Sequence, residues 1–202
     1  AFDEFKELAE RSEIPVITTL LGLSSFPETH VLSVGMPGMH GVAYASLAID
    51  ESDLVISLGA RFDDRVTGRI SSFAPKAKII HIDIDPAVIG QNVKTLVPIV
   101  GDVRRVLRAL NKQIELASHT EWLDQIERLR REHPSLRLPN NPKLTQQFIL
   151  KQLSDITKGN AIIVTGVGQH QMWAAQLYTF SKANTMITSG GSGAMGFEVP
   201  AA

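Results

Sequence analysis

The sequence predicts an α/β protein in which parallel sheets carry helices on both faces. Three observations carry that expectation. Short runs rich in β-branched residues alternate with segments of helical periodicity, each run is apolar throughout rather than at every second residue, and each stops at Gly or Asp. Runs of that kind are strands buried on both sides, and parallel strands need crossovers, which the intervening helices supply. With 202 residues, 44% hydrophobic and 20% charged, the composition is that of a globular protein able to bury roughly 70% of its unfolded surface. That length suits one or two packed domains. The 20 basic and 21 acidic side chains leave a net charge of -1, which gives no bulk attraction to nucleic acid or to an anionic membrane. The lack of cysteine excludes a disulfide framework, a thiolate zinc site and a thiol nucleophile. No apolar run approaches the ~18 residues of a membrane span, and Ala1-Phe2-Asp3-Glu4 lacks the basic-then-apolar order of a secretory leader. A soluble cytoplasmic protein is expected.

Phe2, Phe5, Leu8 and Ala9 recur at helical spacing, so the chain opens on a helix. Ile14 to Leu21, around Pro15, reads as a strand. Residues 22 to 41 are dense in Gly, Ser and Pro and read as a long loop, a class that is usually functional in compact domains. Val42, Ala45, Leu47, Ala48 and Ile49 then predict a second helix, and Asp53 to Leu58, Lys78 to Ile84 and Val97 to Val100 three strands. From Asp102, whose carboxylate can cap it, a helix carries Val103, Val106, Leu107, Leu110 and Ile114 on one stripe and Arg104, Arg105 and Arg108 on a solvated face. Trp122, Ile126 and Leu129 support a further helix. His133 to Pro142, with three prolines, two asparagines and no periodicity, marks a boundary. Residues 1–130 are therefore expected as one domain, 131–142 as a linker and 143–202 as part of a second. There Asn141-Pro142 can cap and start a helix with Leu144, Phe148, Ile149, Leu153 and Ile156 inward, followed by strand Ala161 to Thr165, helix Gln169 to Phe180 and strand Thr185 to Thr188.

In parallel α/β sheets, ligands bind beyond the carboxyl ends of the strands. Gly35-Met36-Pro37-Gly38-Met39-His40-Gly41 leads into a helix and can turn backbone N–H groups toward an anion or a flat ring; it can equally be a turn with core methionines. Asp83 is placed to accept hydrogen bonds from ribose hydroxyls, Asp85 to cap the turn at Pro86, and Asp102 to serve as cap or ligand. Arg61-Phe62-Asp63-Asp64-Arg65 reads as a local ion-pair network whose place at a strand end raises its interest. His81 lies in an apolar strand, where a hydrogen-bonded core imidazole is expected; with no H-x-H or H-E-x-x-H pattern, no metal site is assigned. Gly191-Ser192-Gly193-Ala194-Met195-Gly196 fits G-x-G-x-x-G, though without the acidic residue that a dinucleotide fingerprint wants some 20 positions on. Clustered glycines opening a helix suit a diphosphate, and Gly166-Val167-Gly168-Gln169-His170 can add donors to it.

Five ordered stretches go beyond pattern: residues 35–41, Gly59-Ala60-Arg61-Phe62-Asp63-Asp64-Arg65-Val66-Thr67-Gly68, His81-Ile82-Asp83-Ile84-Asp85-Pro86, Gly168-Gln169-His170-Gln171-Met172-Trp173-Ala174-Ala175-Gln176, and Ser189 to Ala202. They closely resemble the acetolactate synthase (acetohydroxyacid synthase) large subunits, a family of thiamine-diphosphate enzymes. The resemblance implies decarboxylation of pyruvate and transfer of the two-carbon unit to a second 2-keto acid, pyruvate or 2-ketobutyrate, in branched-chain amino-acid biosynthesis, with an FAD that does no net redox work. It implies a Rossmann-like central domain lacking its first strand over 1–130, with Thr19, Leu20, Pro37, Gly38, Met39, His40, Gly59, Ala60, Arg61, Phe62, Asp63, Asp83, Ile84, Asp102 and Val103 at FAD. From about residue 143 it implies the beginning of the thiamine-diphosphate domain, with Gln169, His170, Gly190, Gly193, Ala194 and Met195 along that cofactor, Met195 beneath its bend. Met39, Asp64 and Arg65 are similar to residues at the substrate entrance, where Arg65 can attract a keto-acid carboxylate. A homodimer of large subunits and a regulatory small subunit are the implied partners.

By the same resemblance the activating glutamate, an upstream FAD loop and the Asp and Asn that hold Mg²⁺ lie outside these residues. The chain is thus expected to be a fragment with no catalytic residue of its own and no activity alone. Pro37 and Ser192 stand where Leu is common, and Glu198 where Gly is common. The alternatives are a sister thiamine-diphosphate carboligase or decarboxylase, such as glyoxylate carboligase or an FAD-independent catabolic enzyme, and a nucleotide-binding module without catalysis.

Overall fold

A computed structural model describes residues 1–134 and 144–202; most of the expected linker and the Asn141-Pro142 cap lie outside the described residues. The protein is α/β, with parallel sheets and helices on both sides of them. Helix α1 (Phe2–Ser12) ends where Glu13 turns left-handed at φ 51°. Its polar face lies on α4 (Val103–Asn111), where Glu4 accepts from Arg108 at 2.8 Å and Asn111 Nδ2 donates to the Glu4 carbonyl at 3.0 Å. The arginine face of α4 is therefore only partly solvated. The Asp102 cap is as expected, its carboxylate accepting from Arg105 N at 3.0 Å while Leu107 is fully buried.

Strand β1 is only Val16–Ile17 and pairs in parallel with β2 (Ser33–Gly35), a strand inside the segment read as loop. Pairing stops because the chain after Thr19 curls into a tight turn over Leu20–Gly22, closed by Gly22 N donating to Thr19 O at 2.8 Å. A three-residue strand is too short for periodicity to reveal. Helices α2 (Ala43–Glu51) and α5 (Thr120–Glu132) pack together over β2, enclosing Val34, Val42, Ala45, Ala48, Ile126 and Leu129. Helix α5 thus continues two residues into the segment expected as linker.

Strands β3 (Leu54–Leu58), β4 (Lys78–Asp83) and β5 (Val97–Val100) form a second parallel sheet in that order. Pro98 lies on the outer strand β5, where a missing N–H is tolerated. His81, in the middle of β4, is fully buried, but neither ring nitrogen has a hydrogen-bond partner. The expected hydrogen-bonded imidazole is instead held by its edge-on contact with Phe62 at 5.1 Å, because its cross-strand neighbours are Ser57, whose hydroxyl turns to Ala60 O, and Pro98.

The C-terminal part holds α6 (Gln146–Thr157), β6 (Ile163–Thr165), α7 (Gln169–Leu177), β7 (Met186–Thr188) and the short α8 (Glu198–Ala201), with β6 and β7 parallel. Thr145 caps α6 through Phe148 N. The stripe expected inward is exposed, with Leu144 and Ile156 at 81% and 77%. The reason is which face meets α7: Ser154 accepts from Thr179 N and Thr157 bonds the Tyr178 hydroxyl, which turns the apolar stripe away. Helix α7 stops before Phe180 because Tyr178 and Phe180 leave the helix to fill the core.

The two parts share that core, in which Leu23 and Met36 meet Ala175, Tyr178 and Phe180. Glu28 and Phe180 exchange two hydrogen bonds of 2.8 Å, backbone N–H to carbonyl one way and backbone N–H to carboxylate the other. Ser24, left-handed and buried, accepts from both Thr185 N and Met186 N.

Candidate functional site

The carboxyl ends of β1 to β5 carry every residue expected at FAD. Thr19 and Leu20 follow β1, Pro37 to His40 follow β2, Gly59 to Asp63 follow β3, Asp83 ends β4 and Ile84 follows it, and Asp102 and Val103 follow β5. The β2 and β3 loops are fastened together. Met39 N donates to Arg65 O at 2.8 Å, and a Cβ on Gly38 would lie 2.1 Å from that oxygen, so only glycine permits the approach. The contact places Met39, 65% exposed, beside the short helix α3 (Asp64–Thr67) and hence near Asp64 and Arg65. Of the two methionines in this loop, Met36 belongs to the core and Met39 is presented outward.

The β3 loop is shaped from within. Gly59 turns at φ 68° with open space where a side chain would be, and Phe62, at φ 53°, buries its ring against Ile79 and Val93. Phe62 is thus an anchor that offers backbone, not ring, to a ligand. Asn92 Nδ2 donates to Phe62 O at 3.1 Å. Arg61 pairs with Asp63 at 3.1 Å and Arg65 with Asp64 at 2.7 Å, the local ion pairs expected of this stretch. Asp63 Oδ1 is nevertheless buried without a partner. Asp83 is buried and accepts from Asp85 N at 2.9 Å, while Asp85 caps the next turn through Ala87 N as expected. The last strand ends are tied by Gly101 N donating to Asp83 O at 2.8 Å.

In the C-terminal part Gly168 begins α7, and Gln169 and His170 lie exposed on its first turn, where helix N–H groups have no intrahelical acceptors. The glycine-rich segment does not open a helix directly: Ser189 accepts from Gly193 N at 2.7 Å and donates its hydroxyl to Ala194 O at 2.8 Å, forming a closed turn, and α8 begins only after Gly196. Met195 is 81% exposed. The two candidate surfaces touch, since a Cβ on Gly190 would lie 3.0 Å from Leu20. Gln176 Nε2 also donates to His40 O at 2.5 Å, so α7 holds the β2 loop.

Gln176, Glu28, Ser24 and Asn92 join the loops, and sequence reasoning assigned none of them a role. Each acts on a backbone atom distant in sequence, which no local pattern encodes. Burial in that junction pushes the Glu28 carboxyl up to about 7, against the opposing hydrogen bond from Phe180 N. Among the described residues no group of three or more His, Asp or Glu could hold a metal ion, and no helix is long and apolar enough to cross a membrane.

Residues 1–110 match the family described as thiamine pyrophosphate enzyme, central domain, and residues 166–202 the thiamine pyrophosphate enzyme C-terminal TPP binding domain. The chain is 46% identical over 206 residues to acetolactate synthase 1, chloroplastic, of Zea mays, covering 99% of this chain and 32% of that protein. It is 46% identical over 209 residues to acetolactate synthase of Mycobacterium leprae, and 48% over 208 residues to the acetolactate synthase large subunit of Corynebacterium glutamicum, in each case covering 100% of this chain and 33% of the relative. The chain thus spans about a third of the length of these relatives. It belongs to the thiamine pyrophosphate enzymes, with acetolactate synthase large subunits among its relatives.

Proposed function

We propose that the chain supplies the FAD-binding strand ends and the first diphosphate loop of an acetolactate synthase large subunit, an enzyme that decarboxylates pyruvate and condenses the two-carbon unit with a second 2-keto acid for branched-chain amino-acid synthesis. The observation that carries this reading is the gathering of the expected FAD residues at five consecutive parallel strand ends, two of whose loops are fastened at Gly38 and Arg65. On this reading the protein works in the cytoplasm as a homodimer with a regulatory small subunit and needs FAD, thiamine diphosphate and Mg²⁺.

The residues present fit FAD. The open turn at Gly59 leaves room for close backbone approach, and the buried, unpartnered Asp63 Oδ1 can accept from a ligand hydroxyl or ring N–H. Asp83, held by Asp85 N, keeps a fixed carboxylate for a ribose. The bound flavin would do no net redox work, and Met39 with Arg65 would border the path of a 2-keto acid, the guanidinium attracting its carboxylate. Thiamine diphosphate, which supplies the carbanion chemistry of this family, fits less well: Gln169 and His170 face outward as donors, but the Glu198 carboxylate fills the space beside Gly166.

Flavin fluorescence on titrating FAD into the chain tests the FAD reading. Quenching that saturates, and that weakens about tenfold in Asp83→Asn as expected for loss of a charged hydrogen-bond acceptor, supports it. Quenching indifferent to that substitution refutes the placement of the ribose.

A further inference from the structure

Glu198 begins α8, and its side chain, about a third exposed, reaches back so that one carboxylate oxygen is buried against the chain. Its carboxylate lies against the loop that follows β6: a Cβ on Gly166 would sit 1.8 Å from Oε2 and 2.9 Å from Oε1, so glycine at 166 is what makes room for it. Oε1 is 3.8 Å from His170 Nε2, and Oε2 is buried with no hydrogen-bond partner. A buried carboxylate oxygen without a donor is costly. It is retained beside the first turn of α7, whose orphan N–H groups and partial positive charge favour an anion.

This arrangement has the signature of a resident anion. The carboxylate takes the bare backbone face that Gly166 leaves and pairs loosely with the histidine of the same loop. It makes none of the hydrogen bonds that would lock it there. A diphosphate entering along Gly166 to His170 meets a like charge on the spot, and two anions within a few ångströms in a partly desolvated site repel strongly.

We propose that Glu198 is a built-in competitor for the diphosphate subsite, occupying the Gly166–His170 loop so that an anionic ligand binds only by displacing its carboxylate. The proposal rests on the reading of this loop as the diphosphate site, and extends it by naming the residue that sets its affinity.

Titration of inorganic pyrophosphate into the full chain, followed by calorimetry and by the NMR signals of the His170 ring, tests it. Glu198→Gln keeps the shape and removes the charge; Glu198→Gly empties the space; Glu121→Gln, on the exposed face of α5, controls for net charge. The expected result is pyrophosphate binding about tenfold tighter in both Glu198 variants and unchanged in the control, with the gain shrinking as salt is raised. Equal affinity for wild type and Glu198→Gln overturns the competition while leaving the diphosphate reading in place. Absence of binding in every variant, with His170 unmoved, overturns that reading and the competition with it. Should Glu198→Gly prove unfolded, the isosteric variant alone decides.

Discussion

The loops after β2 and β3 and the loops after β6 and β7 occupy equivalent places beyond parallel strands, yet they are held by different means. The first pair is locked by contacts between loops, with Gly38 and Met39 pressed on the Arg65 backbone and Phe62 rooted in the core. In the second pair the glycine-rich loop is closed by its own turn, with residues 191–196 exposed and Gly193 and Gly196 at positive φ in open space, and the chain after it meets the β6 loop through the Glu198 carboxylate, one oxygen of which is buried and unpaired. Loops of the first kind are fixed by close backbone approach, while the glycines of the second turn where nothing presses on them. The sharpest way to break this contrast is a matched pair of substitutions. Gly38→Ala brings a methyl 2.1 Å from Arg65 O at φ 87°, and should cost about 3 kcal/mol or more from overpacking and strain together. Gly193→Ala, at φ 70° with nothing within 4 Å, should cost about 1 kcal/mol from backbone strain alone. Urea unfolding of the two variants measures both, and equal costs would erase the distinction.

The junction between the two regions is the next test. Glu28 is raised from 4.5 to about 7 by burial, so the folded protein binds this proton more tightly than the unfolded chain. A raised carboxyl contributes stability that is fully present below pH 4.5 and is lost as pH rises through about 7. The loss is at most about 3 kcal/mol, from 1.36 kcal/mol per unit. Glu28→Gln keeps an acceptor for Phe180 N and removes the titration, so its urea midpoint should be flatter between pH 5 and 8 and exceed wild type at pH 8. A wild-type profile as flat as the variant's would show that the junction does not bury this charge.

The ends of β3, β4 and β5 were legible because each meets Gly or Asp, residues whose turn and capping chemistry is local: Asp85 and Asp102 cap where the sequence places them, whereas β1, expected to run to Leu21, stops at Ile17 without either residue. Strand β2 was not, since Ser33-Val34-Gly35 owes its conformation to pairing with Val16 and Ile17 and not to its own pattern. The α6 stripe misled because apolar spacing tells which residues share a face, while contacts made by Ser154 and Thr157 decide which face turns inward. His81 was read correctly as buried and wrongly as hydrogen-bonded, because its cross-strand neighbours are fixed by register, which a single strand does not reveal. Glu198 was visible as a departure from the family pattern; that its carboxylate reaches back to Gly166 is a property of the fold.

The smallest expected effect concerns what the lock between the first two loops is made of. Arg65 contributes its carbonyl to Met39 N, while its side chain, 62% exposed, pairs with Asp64, 73% exposed, at 2.7 Å. An ion pair so open to water is worth under ~1 kcal/mol, because solvent screens it and both side chains lose rotamer freedom in forming it. Asp64→Asn should therefore shift stability by less than ~0.5 kcal/mol, and its urea curve should overlay wild type. A larger loss would mean that side-chain charge, not backbone approach, fastens the loops. Near-neutrality would leave the guanidinium structurally uncommitted, which is what the role proposed for Arg65, attracting a keto-acid carboxylate, requires.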